Sequence, residues 1–187
     1  MVELRGHVEA AEGTQSRVLS IGEQVYAGSV ITTAARSLTT LRFTDDTVLT
    51  VGPSSKVTVT AYSYEKAAAR MSLQLAKGAF RFLTGLIGKM NHDDVDIHAP
   101  VATIGIRGTY FGAEISDTSA SVVLLEQPGG GTNAIQVSNA FGAVVVDKPG
   151  YGTVVPDAHS PPSPPRRLRL NAVENLTRNV FRPSGVP

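Results

Sequence analysis

A chain of 187 residues is the size of one domain, or of one domain with a tail, and is long enough to bury its own core. Its 18 glycines and 11 prolines exclude a helical bundle, and the absence of cysteine excludes disulfides, thiolate nucleophiles and cysteine-ligated metal or iron–sulfur sites. The formal net charge of +1 sets up no field toward nucleic acid or an anionic membrane, yet it is unevenly shared: residues 1–165 hold 12 basic against 15 acidic residues, net −3, and residues 166–187 hold five arginines against Glu174, net +4.

Met1 to Leu4 lead into a charged, alternating segment without the basic start and apolar run of a signal peptide. A purely apolar stretch such as Val122–Leu125 is far too short to cross a bilayer, which needs about 20 residues. Period-two alternation dominates from residue 2 to 155 and predicts half-buried strands. Leu38–Phe43 and Thr47–Val51 flank Asp45 and Asp46 as a hairpin, and Gly52–Ser55 make the next turn. Lys56–Tyr64 is a β-branched and aromatic strand, Glu65–Arg70 a hairpin tip, and Met71–Gly85 a pair of short strands bent at Gly78. Further short strands fall in 95–100, 101–115, 119–126, 133–139, 142–150 and 152–156, with turns at Gly129–Asn133 and Asn139–Gly142. The pattern stops at Pro156. Residues 157–165 read as an extended, poorly packed proline-rich linker, and 166–187 as a basic tail. Within it Leu170, Val173, Leu176 and Val180 allow a short amphipathic helix, with a frayed tail as the alternative. The fold class is all-β: many short strands in a solenoid-like or folded sandwich arrangement over residues 1–156.

From Gly6 onward, and above all from Ser20 to Val59, the chain resembles the FecR domain. Gly22, Gly28, Thr33, Phe43, Asp45, Leu49, Gly52 and Ser55 occupy the places of that family's repeated phrase, and Asp46 stands where the family usually has glycine. A second block, His98 to Ile115, is similar to its Thr-Pro-x-Ala-x-x-Gly-x-Arg-Gly-Thr signature, with Ala99 in place of the first threonine. The resemblance implies an extracytoplasmic, periplasmic or secreted all-β module of the cell envelope, with a partner and a role in signalling. The founding proteins also carry an anti-sigma segment and a membrane helix, which this sequence does not show.

The most pointed candidate site is Ile104–Tyr110, where Gly105 and Gly108 bracket Arg107 and are free to take unusual backbone angles. Arg107, with Gly105, Gly108 and Thr109, is the candidate binding element, its planar fork suited to a carboxylate or phosphate. The structural alternative pairs Arg107 internally with Glu114 or Asp96. Arg166, Arg167 and Arg169 are candidates for contact with a membrane surface or a neighbouring subunit. Asp94, Asp96 and His98 share a strand face beside His92 and Asp93, but a solvated acidic face explains them without a metal, and Asp45 with Asp46 reads as a self-capping turn. No catalytic motif stands out in the sequence, and no cofactor is expected. Two functions compete: a non-enzymatic binding module whose loops at Asp45, Gly85–Asn91 and Gly129–Asn133 dock an envelope protein or glycan, and a structural spacer anchored through the basic tail. Nucleic acid is not an expected partner.

Overall fold

The structure, a computed structural model, describes residues 3–65, 68–131 and 133–180. The alternating N-terminal half forms β1 (Glu3–Arg5), β2 (Val8–Glu12), β3 (Gln15–Val18), β4 (Val30–Thr33), β5 (Leu38–Arg42), β6 (Val48–Val51) and β7 (Lys56–Ser63). The central β8 (Arg70–Leu83) is followed by α1 (Leu86–Met90), then by β9 (Val95–Ala99), β10 (Ala102–Arg107), β11 (Tyr110–Ile115) and β12 (Ala120–Leu124). The chain ends in β13 (Ala134–Asn139), β14 (Gly142–Val146), β15 (Tyr151–Val155), β16 (Arg166–Arg167) and α2 (Asn171–Val180). The strands make one large, open, mixed sheet, so the all-β expectation holds, as does the short C-terminal helix.

That sheet is folded at β8. One arm runs β1-β5-β6-β8-β11-β12-β15-β16 and the other β3-β2-β4-β7-β8-β9-β10-β13-β14; all pairs are antiparallel except β8 with β9. Residues 70–77 of β8 pair with β7 and 78–83 with β6 and β11, so one strand serves both arms. The hinge is Gly78, at φ +112°, where a Cβ would fall 1.9 Å from Ser55 Oγ; no other residue fits that backbone. Residues from both arms, among them Val57, Leu73, Phe80, Phe82, Ile104 and Phe111, form one buried cluster.

Buried hydroxyls fasten the corners. Thr33 Oγ1 donates to the Gly52 carbonyl at 2.6 Å and accepts from Ser55 N–H at 2.9 Å, while Ser55 Oγ accepts from Ala79 N–H at 3.1 Å. At a second corner Asp45 is fully buried, not exposed at a loop tip as the sequence suggests. Its carboxyl accepts from Thr47 N–H and Oγ1, from the Tyr62 hydroxyl and from Ile87 N–H, at 2.8–3.2 Å. Residues 85–91, expected as a loop, contain α1, whose first turn this carboxyl ties down and whose Ile87 is buried. Next to Asp45, Asp46 takes φ +65°, which explains why glycine suits that place.

The C-terminal arm also departs from expectation. The proline-rich segment is packed, not free: Ser163 Oγ accepts from Val154 N–H, Thr153 Oγ1 donates to the Ser163 carbonyl, and Pro162 is buried. Arg166 and Arg167 pair with β15, and α2 lies across the outer face of the first arm. Val173 fills the space above Gly112, where a Cβ would sit 2.3 Å from it, and Leu176 covers Gly52, Ala79 and Leu38. Glu114 accepts from Ala172 N–H at 2.9 Å and so satisfies the start of the helix. Leu170, Val173 and Leu176 are thus spent inside the molecule; the side chain of Val180 lies outside the described residues.

Candidate functional site

The strongest candidate lies on the outer face of the second arm, where alternation sends every second residue of β9, β10, β13 and β14 to solvent. The register places Gly105 beside Gln136 and Gln136 beside Val145, with Arg107 beside Ala134 one step along. Because Gly105 and Ala134 are small, the sheet surface sinks between them, leaving a groove of about 470 Å³. Arg107 and Asp147 stand on its rim, Asp93 and Asp96 on the opposite side, and the wall at the sheet edge is Val145, which is 55% exposed.

The charges of this groove are only partly paired. Asp96 is held by Arg70 at 2.8 Å and Glu114 by the N-terminus of α2, so neither pairs with Arg107. Among the described residues the Arg107 guanidinium forms no ion pair, although its backbone is firmly set: Arg107 N–H donates to Thr109 Oγ1 at 2.7 Å. That hydroxyl donates in turn to the Ala134 carbonyl at 2.6 Å, and Thr109 N–H donates to Thr84 Oγ1 at 3.1 Å. A larger cleft, about 800 Å³, runs beside α2; there Glu114 caps the helix and Arg5 pairs with Glu3, while Arg36 also lines it and is exposed.

Residues 29–127, just over half the chain, match the family model described as FecR protein. The chain belongs to the FecR family. No curated protein matches it. Two crystal structures of a candidate anti-sigma factor from Parabacteroides distasonis ATCC 8503 share the fold, with TM-scores of 0.56 and 0.55 at 13% identity, and cover 74% of this chain. This chain spans 59% of the length of that protein.

Set against the FecR fold, the sequence-derived site separates into parts. Arg107 is exposed at the end of β10. Thr109 is fully buried with its hydroxyl engaged on both sides, so it positions Arg107 and does not contact a ligand. Gly108 does take the left-handed backbone, at φ +56°; Gly105 does not, and a Cβ there would meet only ordinary contacts with Gln136. Its smallness serves the groove, not the backbone. Arg166, Arg167 and Arg169 are exposed and distant in register from this groove, with Arg167 over the Tyr151 ring at 5.8 Å. Of the acidic candidates, His92 pairs with Asp93 and His98 with Thr103, and among the described residues no three metal-ligating side chains converge. Sequence reasoning missed Gln136, Val145 and Asp147. The signal for them was the register between β10, β13 and β14, which no single strand reveals.

Proposed function

We infer that this FecR-family chain is a non-enzymatic binding module of the bacterial cell envelope that takes part in signalling by docking a partner protein in the Arg107 groove. The observation that carries the reading is an exposed guanidinium that forms no ion pair among the described residues, on a residue whose backbone is held by Thr109 at the rim of a concave, part-apolar surface. A planar fork in that setting takes a carboxylate with two hydrogen bonds. Fixed charges of both signs around the groove favour a protein over a neutral glycan. The candidate anti-sigma factor of the same fold supports a place in signal transduction, and the family resemblance supports an extracytoplasmic location. Against the spacer alternative, Leu170, Val173 and Leu176 of the tail pack on the body and are not available to a membrane.

A photo-crosslinker at position 136, carried by the full chain in an envelope fraction, tests this. A discrete adduct that disappears with Arg107→Glu is expected. An adduct pattern unchanged by Arg107→Glu, or matched by a crosslinker at position 56, contradicts it.

A further inference from the structure

Among the described residues the two arms end in four strand edges, and three are blunted. β1 is three residues long and carries Glu3 and Arg5; β16 is the dipeptide Arg166–Arg167; and β3 carries Arg17, ion-paired with Glu12 and Glu23. Such charges and short lengths are the usual protection against unwanted strand pairing. β14 is different. It reads Gly-Ala-Val-Val-Val, without charge, proline or bulge, pairs among the described strands only with β13, and exposes Val145. A two-residue turn joins Asn139 to Gly142, so hydrogen-bonded pairs with β13 fall at 142, 144 and 146, and the N–H and C=O groups of Ala143 and Val145 point away from the sheet. No backbone hydrogen bond links them to another described strand.

We propose that β14 is a docking edge at which an extended segment of a partner protein adds antiparallel, as a further strand beside the Arg107 groove. The proposal rests on the reading of this face as the docking face and adds the chemistry of the occupant. Backbone groups of Ala143 and Val145 supply the ladder, and the outer-face side chains supply the choice. Val145 selects a β-branched apolar residue opposite it. Asp147, next on that face, selects a basic residue two positions away along the incoming strand. The edge is about 17 Å long at 3.4 Å per residue, matching a pentapeptide. A second copy paired through so short an edge falls well below the roughly 1,200 Å² of a stable interface, so a flexible segment of another protein is the occupant that fits.

The test uses the full chain, isotopically labelled, and the capped peptide Lys-Thr-Val-Thr-Ile as probe. Expected are amide shifts and slowed hydrogen exchange confined to residues 142–147 at millimolar peptide, weakened several-fold when glutamate replaces lysine in the probe. Val145→Pro removes one outward N–H and leaves the bonds to β13, so binding should fall at least ten-fold with the fold intact; Ala143→Pro is the second variant should the first misfold. Val145→Thr retains binding. Binding unchanged by either proline, or no response at 142–147, overturns the proposal. So does self-association through β14 that Val145→Pro abolishes, because the edge is then occupied by a second copy. The position-136 crosslink reports on the groove independently: retained there with no peptide response, the docking face stands without the added strand.

Discussion

The Asp45 corner and the Arg107 groove belong to one FecR fold and treat charge in opposite ways. Asp45 is withdrawn from water, and its carboxyl meets hydroxyls and backbone N–H groups instead of a cation. Arg107 stands in water with a fixed backbone and no ion pair among the described residues. A buried polar group left half-satisfied is costly, so the first arrangement specifies the fold; an exposed charge without a partner costs little and leaves binding capacity in hand. The residues that make the family phrase conspicuous, Thr33, Asp45, Gly52, Ser55 and Thr109, accordingly sit in corners. Function has to be sought where pairing is incomplete.

Breaking the corner gives the largest expected effect. Asp45→Ala strips the acceptor from Thr47, Tyr62 and Ile87, and should cost about 3 kcal/mol or more in urea unfolding. Next comes the C-terminal arm: Gly112→Val collides with Val173, and should displace α2 at a cost of about 1–3 kcal/mol, seen as rapid proteolysis after residue 165 while the body stays folded. Burial, the largest influence on Tyr62, raises its phenol above the ordinary 10.0, with the nearby Asp45 carboxyl adding to the rise. The folded state therefore keeps a proton that the unfolded state releases; stability is full below pH 10 and falls as pH climbs from there through the raised value. Tyr62→Phe should remove that alkaline fall in a series of denaturation curves. Asp46→Gly is the smallest change: relief of the left-handed backbone opposes the loss of the exposed Arg42 pair, for a net shift within about 0.5 kcal/mol.

Strands and hairpins were legible because alternation reports a half-buried strand directly, and the bend of β8 was legible because Gly78 interrupts that alternation. The packing of the C-terminal arm was not. It depends on Gly52 and Gly112 lying on the outer face of the first arm, a fact set by register between strands distant in sequence. α1 escaped because five residues, Gly88 among them, carry too little periodicity. Of the site, Arg107 was visible between its glycines, but the reason given for Gly105 was wrong: it shapes the groove by lacking a side chain. Val145 and Asp147 were hidden for the reason that hid the helix dock, since an edge is defined by the strand that is missing beside it.

The most direct measurement joins stability and binding in one substitution. Arg107→Gln is compared with the wild-type chain by thermal unfolding and by the position-136 crosslink in the same preparation. An unchanged melting temperature with loss of the adduct is the result predicted for a binding charge that the fold does not use. A lowered melting temperature with the adduct retained would make Arg107 another corner fastening and contradict the account.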